Sequence, residues 1–132
     1  MLLLDTNICI YIIKRKPEEV LRHFQQYHPG EIGISSITLA ELQYGVAKSQ
    51  AQERNAEALS EFLISFEILP FSEAATQVYG SIRTLLERRG KIIGAMDLLI
   101  AAHAVSLDAV LVTNNVKEFE RVPDLKVENW VI

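Results

Sequence analysis

The segment Met1-Leu2-Leu3-Leu4-Asp5-Thr6-Asn7 decides the fold. A short apolar run, ended by an acid and two polar residues, reads as a buried strand with its last side chains emerging at the edge of a sheet. In an open α/β sheet, ligands bind outside the carboxyl ends of the strands. Asp5 therefore stands where a ligand-binding acid would stand. An N-cap of the next helix is the plainer role for the same residue, and Asp5 alone does not separate the two.

The pattern repeats along the chain. Ile32-Gly33-Ile34-Ser35 predicts a second strand, and Glu67 to Phe71 a third. Ala109 to Thr113, rich in β-branched residues, predicts a fourth, and Lys126 to Ile132 a last one. Helical spacing covers Asn7 to Lys14 and Glu18 to Gln26. A third helix carries Glu41, Leu42 and Val46, with Ser36 or Thr38 as its cap. Further helices are predicted over Ala51 to Ser65, from the cap Ser72 to Arg89 with Gly90 past the end, and over Ala95 to Ser106. The Ala95 helix is apolar on almost every side and should be buried. A helical turn runs through Glu118 and Phe119. Strands alternating with helices indicate the α/β class: one domain over residues 1–132, with a central, mostly parallel sheet flanked by helices.

Bulk properties narrow the class. The chain has 132 residues, enough for one core. No apolar stretch has the length of a membrane span, and the start lacks the basic region of a secretory signal. Cys9 is the single cysteine, so no intramolecular disulfide forms, which fits a cytoplasmic protein. Cys9 reads as a small core residue. The net charge of −4 argues weakly against a nucleic-acid partner. Two local basic clusters soften that point: Lys14-Arg15-Lys16, and Arg88-Arg89 with Lys91. Each could meet phosphates, and each reads more plainly as a solvated helix end.

The acids carry the chemistry. Asp5, Glu41, Asp97 and Glu118 fall at strand ends or helix starts, as do Thr6, Asn7, Thr113 and Asn115. Asp97 lies in the first turn of the buried helix, where the dipole favours a carboxylate. Each residue taken singly has an ordinary reading as a cap or a surface acid. Their joint placement at successive junctions weakens those readings together. Several carboxylates in one pocket repel each other unless a cation neutralises them, and hard cations prefer oxygen ligands. A divalent-metal site is the expectation. His103 lies well over a helical turn from Asp97 and reads as structural.

Four blocks carry a resemblance: Leu4-Asp5-Thr6-Asn7; Ser35 through Leu42 with Tyr44-Gly45; Ile93-Gly94 through Asp97 to Ala104; and Val112-Thr113-Asn114-Asn115 through Glu118-Phe119. In this order they resemble the PIN-domain ribonucleases, and closely their VapC toxins of type II toxin–antitoxin systems. The resemblance extends over essentially the whole chain. It implies an endoribonuclease that uses Mg²⁺ or Mn²⁺ and cuts structured RNA, with tRNA favoured. It also implies a VapB-type antitoxin, a toxin homodimer, and a larger assembly with the antitoxin. Asp5, Glu41 and Asp97 match the family's main acids, with Asp5, Asp97 and Glu41 as metal ligands. Where many relatives carry an aspartate two residues after the threonine of the last block, this chain has Asn115. Glu118 is then the acid expected to complete the catalytic set, with Asn115, which can ligate through its carbonyl oxygen but brings no charge, as the alternative; Thr6, Asn7, Thr113 and Asn115 orient waters, substrate or carboxylates.

Two other readings compete. A haloacid-dehalogenase-like phosphatase would want an aspartate two residues after Asp5, where Asn7 stands. A dimeric interaction module with a degenerate acidic pocket would fit Asn115 but not the presence of Asp5, Glu41 and Asp97 together.

Overall fold

Leu2–Leu4 forms β1, the middle strand of a five-stranded sheet in the order β3-β2-β1-β4-β5. This arrangement is that of a computed structural model describing residues 1–132. The other strands are β2 (Ile32–Ser35), β3 (Glu67–Leu69), β4 (Val110–Val112) and β5 (Lys126–Glu128). Every pairing is parallel. The helices between them are α1 (Thr6–Lys14), α2 (Glu18–Phe24), α3 (Ser36–Ala47), α4 (Gln52–Leu63), α5 (Glu73–Arg88), α6 (Ala95–Ser106) and the short α7 (Val116–Phe119). A parallel sheet is covered on both faces, which is why β1 tolerates three leucines in succession. Leu3 packs with α5 and α6 on one face, whereas Leu2 and Leu4 join α1, α3 and Trp130 on the other.

Several boundaries differ from the sequence expectation, each for a local reason. Pro70 follows β3 directly and has no N–H to extend the ladder. The last strand stops at Glu128, because Trp130 turns inward and is fully buried against the rings of His23 and Tyr27. The cap of α3 is neither Ser36 nor Thr38. Ser35, the last residue of β2, accepts from Ile37 N–H at 3.0 Å. Ser36 Oγ instead accepts from Phe71 N–H at 3.0 Å, tying α3 to the end of β3. Ser72 caps α5 and Gly90 adopts φ 63° beyond it, both as the sequence predicts.

Ser35 Oγ also shares a 2.8 Å hydrogen bond with His103 Nδ1. Both residues are buried, and burial holds the imidazole below its ordinary pKa, so it stays neutral. His103 thus fastens α6 to the head of α3.

The strand order places a switch point between β1 and β4. From β1 the chain moves outward to β2 and β3, then returns to the other side of β1 for β4 and β5. The crevice at the carboxyl end of such a switch point is the usual ligand site of open α/β sheets. Because α6 precedes β4, its N-terminus, with Asp97, sits at this same edge.

Ser35→Ala should cost about 2–4 kcal/mol, combining loss of a cap with an unpartnered buried imidazole. Ser36→Ala should cost only about 1 kcal/mol. Urea unfolding of the two variants checks this; equal losses would mean that Ser35 does not join the two helices.

Candidate active site

Asp5 is 4% exposed at the carboxyl end of β1. Its backbone N–H donates to Val112 O at 2.9 Å, so it is fixed to the neighbouring strand. Its two carboxylate oxygens are held separately. Thr6 N–H donates to Oδ1 at 2.8 Å, and the hydroxyl of the fully buried Thr113 donates to Oδ2 at 2.7 Å. The Thr113 bond crosses the switch point from β4 to β1. Asp5 therefore serves as the cap of α1 and also faces the crevice. The cap role weighed in the sequence is met.

From Asp5 the network runs two ways. Thr6 Oγ1 donates to Glu41 Oε1 at 2.6 Å, which turns the half-buried Glu41 on α3 toward β1. On the other side, Thr113 Oγ1 accepts from Asn115 N–H at 3.0 Å. Asn115 Nδ2 donates to Glu118 Oε2 at 2.8 Å, and Gly94 N–H donates to Glu118 Oε1 at 2.9 Å. Asp97 reaches the same place: a Cβ built at Gly94 would lie 3.5 Å from Asp97 Oδ2 and 3.6 Å from Glu118 Oε1. The structure thus gathers Asp5, Thr6, Glu41, Asp97, Thr113, Asn115 and Glu118 at one edge. Asn7 is exposed beside them, and none of the bonds that hold these acids comes from it.

Asn115 and Glu118 enter the sequence reading as alternatives for the last place in the site. In the fold they are partners. The asparagine amide holds the glutamate, so a neutral residue at 115 positions an acid at 118. Gly94 N–H is a contributor that sequence reasoning misses, because a backbone donor leaves no signature in residue type. A glycine directly before an acid-bearing helix is the only hint. The pair Tyr11 and Asn114, joined at 3.2 Å behind Thr113, is likewise absent from the sequence reading.

The electrostatics follow from this crowding. Burial, a carboxyl–carboxyl contact with Glu118 and the charges of Asp5, Glu118 and Glu41 push Asp97 up to about 7. Burial would also raise Glu118, but the Gly94 N–H, the Asp97 proton, the Asn115 amide and the charge of Arg121 outweigh it and lower its pKa. Below pH ~7 the pair therefore holds one proton, carried by Asp97. Asp5 is raised by burial, against the pull of Thr113 and Thr6, with Glu41 and Glu118 adding to the rise. No basic side chain forms an ion pair with these acids; the two ion pairs of the chain are Arg83–Glu87 and Lys126–Asp108. No three acids close around one point tightly enough to cage an ion unaided. Cys9 lies fully buried beneath Asp5, and burial pushes its thiol well up, so it is an inert core residue.

The PIN domain family model matches residues 2–125, which makes the sheet and its acidic edge a PIN domain. Ribonuclease VapC2 of Rickettsia felis is 51% identical, over 97% of this chain and 96% of its own length. A tRNA(fMet)-specific endonuclease VapC of Shigella flexneri is 45% identical over the same shares. The structure of VapBC2 from Rickettsia felis bound to a DNA fragment from their promoter contains a chain that superposes with a TM-score of 0.92, at 50% identity over 98% of each chain. The chain belongs to the VapC ribonucleases of the PIN-domain family.

The raised pKa of Asp97 has a consequence for stability. The folded protein keeps the proton up to about 7, whereas the unfolded chain releases it near 3.8. Between those values the folded state binds more protons, so stability falls as pH rises through this window. In protein freed of divalent metal, Asp97→Asn should flatten that fall and melt above the parent at pH ~8. Parallel melting curves for parent and variant across the window would show that Asp97 is not crowded.

Proposed function

We propose that this chain is the toxin of a type II toxin–antitoxin pair, an endoribonuclease that depends on Mg²⁺ or Mn²⁺. Its substrate is structured RNA, with tRNA favoured, and a VapB-type antitoxin silences it. The observation that carries this reading is the hydrogen-bonded set of carboxylates at the switch point, none of which forms an ion pair with a basic side chain. Such a set is costly to assemble unless a cation enters it.

The donors fit a hard divalent ion. All are oxygens, the site is open, and Mg²⁺ keeps several waters rather than demanding an all-protein cage. Asp5 and Asp97 would hold the ion, with Glu118 and Glu41 acting directly or through water. A metal bound there would lower the pKa of a water and neutralise charge on the scissile phosphate. The chain's own residues prepare that site. Thr6 and Thr113 fix both oxygens of Asp5, so it needs no reorganisation on binding. Asn115 and Gly94 do the same for Glu118. Asp97 would be a full ligand once its proton leaves, which would make metal affinity pH-dependent. His103, sealed against Ser35, takes no part in proton transfer.

The partner and substrate rest on the relatives. Complexes called VapBC include those from Rickettsia felis and Salmonella typhimurium, whose matching chains are 50% and 44% identical to this one. A cationic side chain from an antitoxin, placed among these acids, would neutralise them as a metal does. A tRNA substrate is supported by the activity for which the Shigella flexneri relative is named. A toxin homodimer, and a larger assembly with antitoxin, follow the family pattern. Cytoplasmic action fits a substrate of this kind. No helix is long and apolar enough to cross a membrane.

Cleavage of tRNA in Mn²⁺ by purified protein tests the proposal. EDTA, Asp5→Asn and Asp97→Asn should each abolish cleavage, with the helical circular-dichroism signal retained. Glu118→Gln should slow it by about tenfold or more, and Asn115→Ala by less, since that variant leaves the charge in place. Cleavage that ignores chelator, or an Asp97→Asn protein that cleaves like the parent, would overturn the metal-dependent reading.

A further inference from the structure

Beside the acids lies a surface of opposite sign. A cleft of about 660 Å³ is lined by Arg89, Lys91, Lys117 and Arg121, with Gly90 and the single acid Glu120. None of its four cations forms an ion pair. A second cavity, of about 410 Å³, shares Lys117 and Arg121 with the first and is also lined by Gly94, Asn115 and Glu118. The cationic cleft therefore opens onto the edge of the acidic site. In a chain of net charge −4, four cations at one place without an ion pair are not the average surface.

The helix-end reading does not account for them. It serves for Lys14-Arg15-Lys16, where Arg15 ends α1 with φ 60° and returns its N–H to Ile12 and Tyr11. Arg89 also ends a helix, α5. Lys91 lies beyond it, and Lys117 and Arg121 come from the α7 segment, 26 or more residues later in the sequence. Lys117 lies within α7, and Arg121 lies just past its C-cap Glu120. The Arg121 guanidinium donates to Ile92 O at 3.2 Å, which anchors the wall shared by the two cavities.

We infer that this cleft binds phosphates of the RNA strand flanking the scissile bond, so that the strand passes the acids at Glu118 and continues along Lys117, Arg121, Lys91 and Arg89. The inference rests on the ribonuclease reading above. It explains how an acidic protein engages a polyanion: repulsion at the acids is offset by unpaired cations directly beside them. Backbone contacts of this kind set affinity and register but not sequence.

The test uses unfractionated bacterial tRNA and the full chain, with binding followed in Ca²⁺ and cleavage in Mn²⁺. Lys91→Ala/Lys117→Ala leaves every hydrogen bond of the acidic site in place, and thermal melts check its fold. It should bind tRNA about tenfold or more weakly, with the salt dependence of binding reduced by roughly one to two counterions. Lys91→Arg/Lys117→Arg should bind like the parent. If the parent cleaves tRNA and the alanine variant matches its affinity and salt slope, the cleft inference fails and the ribonuclease reading stands. If the alanine variant instead loses only antitoxin binding, the cleft serves a protein and the inference is overturned. A parent that neither binds nor cleaves tRNA overturns both readings.

Discussion

The hydrogen bond from Thr113 to Asp5 is the constraint on which the rest of the site depends. It joins the ends of β4 and β1 where the strand order reverses, and it buries a carboxylate at the bottom of the crevice. A buried carboxylate needs partners for its oxygens. Thr6 and Thr113 supply them, and the same two residues then reach outward to Glu41 and Asn115. A network from a single buried acid thereby reaches α1, α3 and the β4–α7 loop. Asp97 and Glu118 arrive from the next layer and find a field that is already negative.

That field works against the fold. Desolvation and repulsion raise Asp5 and Asp97 without a basic side chain to offset them. Proteins retain such arrangements mainly at functional sites, where local destabilisation serves binding or chemistry. The two-faced core underneath supplies the rigidity. Leu3 and Leu4 are fully buried on opposite faces of β1, and the helix bearing Asp97 is buried at Leu98 and from Ile100 to Ala104. The backbone beneath the acids is therefore fixed, and a proton, a metal ion or a partner's cation would relieve their repulsion.

Much of this was legible in residue order. The apolar run before Asp5, the Ser72 cap, the Gly90 stop and the buried character of the Ala95–Ser106 helix each rest on local rules, and the fold obeys them. The acids' convergence was inferable because successive βα junctions of a parallel sheet share one edge. What was not legible depends on contacts distant in sequence. Ser35 displaces Ser36 as the α3 cap because it also meets His103, 68 positions away. Glu118 is held by Gly94 N–H, 24 positions away, and no residue type announces a backbone donor. The relation of Asn115 to Glu118 is short in sequence, yet it depends on α7 being a single turn that brings the two side chains together. The cationic cleft is similar: Arg89 and Lys91 read as a helix end until the fold sets Lys117 and Arg121 opposite them.

The central claim is that the crowded carboxylates, and Asp97 above all, await a cation. Calorimetric titration of Mn²⁺ into the metal-free protein, repeated in buffers of different ionisation enthalpy, measures both binding and the protons it displaces. Asp97 holds a proton up to about 7, so binding at pH ~6 should release about one proton, and binding at pH ~8 far fewer. Asp97→Asn should bind weakly and release far fewer. Tight Mn²⁺ binding without proton release at pH ~6, undiminished in Asp97→Asn, would contradict the account.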